Sequence, residues 1–207
     1  SSIAYWASQN VVNAFLNGKR LGDISKPRQG MATTNNNRFL RLWHEVSYNN
    51  IGFGLKSIEE TVCDRKWFPY NKGGDFRKWY GNNNYLANWQ FDGAEMTGFK
   101  GSVIRNPQYY FMEGITWSSL TSSKLSMRYS ERGFLFESKG SVCFMKDKNN
   151  LLYILGLMNT KIVSDILLVL SPTLDYHEGP ISRVPIIIND KEKENVEKIV
   201  KQNIRFC

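Results

Sequence analysis

The chain has 207 residues, 42% apolar and 14% aromatic, with 27 Lys and Arg against 19 Asp and Glu for a formal charge of +8. That apolar share supports a real core and excludes a disordered chain, and no apolar run reaches the roughly 18 residues of a bilayer-spanning helix, since Ile162 to Leu170 is broken by Ser164 and Asp165. The start has no charged segment followed by an apolar leader, and three widely spaced cysteines with two histidines support neither a disulfide framework nor a Cys/His metal cage, so a reduced, cytoplasmic setting is expected.

Ile3, Trp6, Val11, Ala14 and Phe15 recur at helical spacing, and Asn17-Gly18 closes the run as a C-cap, which predicts a leading helix within residues 1–18. Between residues 19 and 148 short β-rich stretches (Lys66 to Tyr70, Lys78 to Tyr80, Gly114 to Leu120, Leu125 to Tyr129, Gly133 to Phe136) alternate with Gly, Asn and Ser clusters. This predicts a largely antiparallel, loop-rich sheet, with a long loop across residues 28–37 of the kind that more often serves function than accident. Beyond residue 148 the runs Leu151 to Met158 and Ile162 to Leu170, broken at Asn159-Thr160, predict two packed helices or one kinked helix, and Ser171-Pro172-Thr173 stops the pattern. Ile181 to Ile188 reads as a strand or extended segment. Asn189-Asp190 reads as the N-cap of an amphipathic helix over Lys191 to Asn203, with Val196, Ile199, Val200 and Ile204 inward. The fold class expected is α+β, one domain over residues 1–207 with an N-terminal helix, a β-rich core and packed C-terminal helices. Because the chain opens Ser1-Ser2-Ile3 without a Met, it is expected to be a piece of a longer polypeptide.

The positive charge is local. Residues 19–41 carry Lys19, Arg20, Lys26, Arg28, Arg38 and Arg41 against Asp23, and residues 65–78 carry Arg65, Lys66, Lys72, Arg77 and Lys78 against Asp75, while the remaining residues are balanced to within one charge. Both segments are rich in turn-forming Gly, Asn and Pro, and aromatics crowd the second, with Trp67, Phe68, Tyr70, Phe76, Trp79, Tyr80, Tyr85 and Trp89 close together. Basic loops interleaved with amides and rings suit a nucleic-acid surface: cations meet phosphates, Arg pairs with guanine, Asn and Gln pair with adenine, and rings stack on bases. The bland alternative is a solvated basic face beside an aromatic core.

Catalytic signatures are weak. Gly52-Phe53-Gly54 lacks the third glycine and following helix of a dinucleotide loop. Asn106-Pro107-Gln108-Tyr109 approaches the Asn-Pro-Pro-Tyr motif that holds a flipped adenine in amino-methyltransferases, but carries Gln at the second proline. Glu137-Ser138-Lys139 and Asp64-Arg65-Lys66 each match only half of a nuclease metal site, and His44 and His177 have no nucleophile motif beside them. Cys63, Cys143 and Cys207 read as ordinary buried or terminal thiols.

An ordered series of blocks carries a resemblance: Gly18-Lys19-Arg20-Leu21-Gly22-Asp23-Ile24, Pro27-Arg28-Gln29-Gly30, Asn36 through Glu45, Lys66-Trp67-Phe68-Pro69-Tyr70-Asn71-Lys72-Gly73-Gly74, Phe76 through Asn82, Glu113 through Trp117, and Ser171-Pro172-Thr173-Leu174. The chain resembles, from about Tyr5 to Ile188, the target-recognition (TaqI-like specificity) region of the PglX-like adenine-specific DNA methyltransferases of BREX and restriction-modification phage-defence systems. The resemblance implies a module that is not itself an enzyme. It would read double-stranded DNA and position an extruded adenine for an upstream, S-adenosylmethionine-binding methyltransferase domain of the same polypeptide, absent here, with other defence proteins as further partners and no membrane role. It departs from the family pattern around Glu59 to Asp64 and Ala94 to Arg105, where specificity differences are expected.

On this reading residues 28–41 and 66–82 form the DNA face. Arg28, Arg38, Arg41, Lys66, Lys72, Arg77 and Lys78 are expected at phosphates or guanine edges, Gln29, Asn35, Asn36, Asn37, Asn71 and Asn82 at base edges, and Tyr70, Trp79 and Tyr80 as stacking or wedging rings. Trp67, Phe68 and Trp117 are expected in the core. The rival from another class is a protein-interaction module in which the aromatic block docks the methyltransferase domain or another defence component, and a third, an autonomous nuclease, would show metal-dependent cleavage.

Overall fold

A computed structural model of the chain describes residues 8–121, 124–171 and 175–207, so Ile3 and Trp6 of the expected leading helix, and Pro172 and Thr173 of the expected stop, lie outside the described residues. The Ser8 hydroxyl accepts the Val11 amide and starts α1 (Gln9–Asn17), and Gly18 closes it by donating to the Ala14 carbonyl. Val11 and Ala14 turn partly inward as expected, but Phe15 is exposed, with Val12 and Leu16.

The stretch expected as a long basic loop is partly regular. β1 (Lys19–Arg20), α2 (Leu21–Ile24) and β2 (Ser25–Arg28) follow one another, then the single turn α3 (Asn36–Phe39) runs into β3 (Leu40–Leu42). β4 (Trp67–Asn71), β5 (Tyr85–Asn88), α4 (Gln90–Thr97), β6 (Gly114–Trp117), β7 (Met127–Ser130), β8 (Leu135–Phe136) and β9 (Val142–Met145) complete the β-rich part. The expected strand Lys78 to Tyr80 is only a bridge between Trp79 and Arg128. α5 (Leu151–Met158), α6 (Lys161–Leu170), α7 (Glu178–Ser182), β10 (Pro185–Ile186) and α8 (Asp190–Arg205) end the chain. The expected extended segment over Ile181 to Ile188 is thus split between a helical turn and a two-residue strand.

The strands pair antiparallel except one: the first four-stranded sheet runs β2-β9-β6-β7, the second β3-β5-β4-β8 with β4 and β8 parallel, and β1 pairs with β10. The chain is α+β, as its pattern predicts. Alternation along β9 explains how the halves meet: Cys143 and Met145 face one core, Val142 and Phe144 the other. On the first side α5, α6 and α8 cover Ile115, Trp117 and Met127. On the second, the second sheet contributes Phe68, Tyr70 and Ala87 to an aromatic core with Trp89, Tyr110, Phe111 and Phe136, where burial contributes about 1.5–3 kcal/mol per large side chain.

α5 and α6 meet at 82°, and Asn159 fixes the break. Its amide donates to the Met127 and Leu155 carbonyls at 2.9 and 3.2 Å, and its oxygen accepts the Met127 amide at 2.9 Å, so the corner is bonded to the edge of β7. Among the described residues no single helix is long and apolar enough to cross a membrane.

Candidate nucleic-acid interface

Asn35 caps α3, its side-chain oxygen accepting the Arg38 amide at 3.1 Å, which sets Asn36 and Asn37 beside β3. Arg41 on β3 turns back to donate to the Asn37 and Leu40 carbonyls, both at 2.7 Å. Strand register does the rest: Leu42 lies opposite Tyr85 and Tyr85 opposite Tyr70, so Lys72, just past β4, comes to rest with its ammonium 5.5 Å from the centre of the Tyr85 ring. Asn36, Asn37, Arg41, Glu45, Lys72 and Tyr85 thereby line a cleft of about 390 Å³. The fold joins the two basic segments there.

Cations flank the cleft. The Arg41 guanidinium sits 5.1 Å from the Trp67 ring centre and the Lys66 ammonium 5.9 Å from the same ring, so Trp67 is a half-buried platform rather than the core residue expected. Arg38 Nε meets Glu95 Oε1 at 2.8 Å and Lys66 Nζ meets Glu95 Oε2 at 3.8 Å. The Arg38 hydrogen bond, chiefly, holds the Glu95 carboxyl below its ordinary value. Lys72 pairs with Glu137 at 3.5 Å, and burial pushes the Glu137 carboxyl up against the pull of Lys72. Solvent-facing pairs such as Arg38 with Glu95 contribute only about 0–1 kcal/mol, so a phosphate competes for these cations at little cost.

Other expected contacts lie apart from the cleft. Arg28, at the end of β2, stacks 5.7 Å from the Tyr109 ring beside Lys26 at 6.0 Å, and the Gln29 carbonyl accepts the Asn106 amide at 2.9 Å. Arg77 is exposed, and its backbone amide donates to Ser126 Oγ at 3.3 Å. Lys78 donates to the Asn159 carbonyl at 2.8 Å, at the C-terminal end of α5 where a cation is favoured, so its charge is largely committed to the fold. Trp79, with φ of 74°, packs partly against the helical core. Tyr80 donates to Glu131, and burial together with that bond pushes its hydroxyl up to about 12. Asn82, at φ of 61°, donates to the Asp75 carbonyl at 2.9 Å and serves the turn.

Two assignments are corrected. Tyr70 is fully buried, because alternation along β4 turns it with Phe68 into the aromatic core, so its ring is not a stacking surface. Asn71 is buried too, and its amide donates to Ser130 Oγ at 2.7 Å, which removes it from base reading.

The partial catalytic motifs also have structural work. Asn106 takes a left-handed backbone and ties to Gln29, and Tyr109 stacks on Phe144 at 4.8 Å between ring centres. Conversely, exposed aromatics also stand outside the expected face, Trp43, Phe53 and Phe91 among them. Trp43 and Phe53 line a second cavity of about 530 Å³ with Tyr80, Asn83 and Arg132. Phe91 projects from three consecutive left-handed residues, Phe91, Asp92 and Gly93, at the start of α4. Nothing in the local pattern marks them beyond their being rings near turn residues.

The backbone is similar to part of the type IIG restriction endonuclease BpuSI, with a TM-score of 0.53 at 9% identity over 94% of this chain and 28% of that one. The likeness is one of fold. In sequence the chain is 42% identical over 194 residues to the adenine-specific methyltransferase PglX of Lacticaseibacillus casei (strain Zhang), over 90% of this chain. It is 36% identical over 204 residues to the adenine-specific methyltransferase BrxX of Escherichia coli O9:H4 (strain HS), over 97% of this chain. The chain spans 16% of the length of each of these relatives. No protein-family profile matches it.

Proposed function

We propose that the chain is the DNA-reading region of an adenine-specific methyltransferase of a phage-defence system. Double-stranded DNA would lie over the cleft between α3 and β5, and S-adenosylmethionine would be held by another part of the same polypeptide. The observation that carries this reading is the convergence of Asn36, Asn37, Arg41 and Lys72 on one cleft: cations for phosphates beside amides for base edges. The names of the two relatives support adenine methylation as the reaction of the whole protein.

Neither partial motif, Gly52-Phe53-Gly54 nor Asn106 to Tyr109, offers a site for S-adenosylmethionine. A nucleotide-binding turn leaves glycine backbone open to the ligand, whereas a Cβ placed on Gly52 would stand 2.3 Å from the Phe68 ring, and the Asn106 amide is already bonded to Gln29. No methyl-transfer step is therefore assigned to this chain. A second reading, docking of another protein, is favoured by one feature, the exposed Phe15 and Leu16 on α1.

Genomic adenine methylation compared between cells with and without the full-length gene tests the function. Loss of methylation at one short motif, with binding of the full-length protein to a duplex carrying that motif, is expected. Unchanged methylation together with salt-insensitive capture of a protein partner overturns the reading. Glu95 supplies a finer check: Glu95→Gln releases Arg38 and Lys66, so duplex affinity should rise by about two- to fivefold and depend more steeply on salt. Unchanged or weaker binding would place Arg38 and Lys66 outside the contact.

A further inference from the structure

Arg128 stands in the middle of β7 and is 1% exposed. Its neighbours Met127 and Tyr129 turn to the helical core, so Arg128 and Ser130 share the opposite face, where Ser130 accepts the Asn71 amide. The segment 73–82 runs along the outer edge of β7, pinned by Trp79 donating to the Met127 carbonyl at 3.0 Å and accepting the Tyr129 amide at 2.7 Å. In the register of the strand pair Arg128 stands opposite Thr116.

Two of the three guanidinium nitrogens are left without compensation. Nε and Nη1 are buried with no hydrogen-bond partner among the described residues, and no carboxylate pairs with Arg128. The charge that acts on it, Arg77, has the same sign, and burial with that repulsion lowers its pKa to about 10. A buried ion without a partner is expensive, and an apolar side chain of the same length would pack there at less cost. Stability does not account for Arg128.

The cover carries unusual backbone. Gly73, Gly74, Trp79, Gly81 and Asn82 all have positive φ, a strained conformation for Trp79 that neighbouring contacts must hold in place. The segment also follows directly on Lys72, which lines the cleft, so Arg128 lies under a continuation of the same basic surface.

We propose that Arg128 and Arg77 together bind one phosphate of the DNA backbone, reached when the segment 73–82 shifts away from β7. The assignment rests on the DNA reading above and adds a residue that charge counting along the two basic segments leaves out. A guanidinium with two unpartnered nitrogens beside a second arginine suits a bidentate anionic acceptor, and a backbone phosphodiester supplies two non-bridging oxygens that share one negative charge.

Arg128→Met in the full-length polypeptide separates a functional arginine from a structural one. It should unfold at the same or a higher temperature than the wild type, while duplex affinity falls about tenfold and the slope of log K against log salt falls by about 0.9, one phosphate's worth. Arg77→Met, at an exposed position, should leave melting unchanged and lower the slope equally. Either variant binding with the wild-type slope overturns the shared phosphate, as does an Arg128→Met protein that fails to fold. A wild-type protein that shifts no duplex at any salt overturns the DNA reading itself, whereas wild-type binding with unchanged Arg128→Met binding overturns this assignment alone.

Discussion

Replacing Arg38, Arg41 and Lys72 together with Ala should flatten the salt dependence of duplex binding by between about 2 and 3 logarithmic units and lower affinity on the order of a hundredfold at moderate salt. Arg41 and Lys72 line one cleft from two segments of the chain, with Arg38 on the neighbouring turn α3, and each neutralised phosphate contributes roughly 0.9 to the slope through released counterions. Folding should survive. Arg38 gives up an ion pair worth little at the surface and Arg41 two bonds to carbonyls at a partly open position, while Lys72 leaves behind the mostly buried Glu137, whose carboxyl burial already pushes toward its neutral form. Anisotropy titrations at several salt concentrations, with melting curves as a control for the fold, read the result directly. A slope equal to the wild type's would remove the cleft from the interface. The neighbouring amides predict a different signature: the exposed Asn37, replaced by Ala, should weaken binding by about 1–3 kcal/mol only on the duplex with the correct base pair and leave the slope alone.

The contrast between cations and amides follows how the site could be read at all. Charge is a property of composition, so the two basic segments stand out before any fold is known, and the structure brings part of each to the cleft. Which side chains face it depends on pairing partners far away in the chain. Tyr70 and Asn71 belong to the most diagnostic sequence block yet are buried, because β4 is covered by β5 on one edge and β8 on the other. The alternation of Phe68 and Tyr70 hints at this for the ring, but nothing local tells that Asn71 bonds to Ser130. Arg128 lies outside both segments, and a buried arginine has no sequence signature. The same divide runs through the fold. α5, α6 and the Asn189 cap of α8 follow the pattern almost residue by residue, since helical period and capping are local. β2 reads as loop because it holds Pro27 and two cations, and it becomes a strand only by pairing with β9. Its place at the edge of the sheet lets proline, which cannot donate, stand opposite Cys143.

Trp117→Ala should destabilise the fold by about 4–6 kcal/mol, a large share of the 5–15 kcal/mol that holds a domain together. Trp117 lies on β6, an inner strand of the sheet that separates the two cores, and it is fully buried. Truncating such a ring leaves a cavity that costs about 3–5 kcal/mol, and a further loss follows from its indole. Nε1 donates to the Tyr176 carbonyl at 2.8 Å, and the Tyr176 amide returns a bond to the Ser119 carbonyl at 2.6 Å, so the indole helps fasten the segment entering α7 to the sheet. Removing the donor strands a buried acceptor at about 1 kcal/mol or more. Trp117→Phe isolates the second effect: most of the ring volume remains, and the loss should shrink to about 1–2 kcal/mol. Urea denaturation of the two variants, with the midpoint shifting at constant slope, measures both numbers. A loss under about 1 kcal/mol for the Ala variant would mean that β6 is not the wall between the cores. Because Phe144 on neighbouring β9 faces the aromatic core beneath the cleft, the Ala variant should also loosen DNA binding, while Trp117→Phe, with the wall intact, should bind as the wild type does.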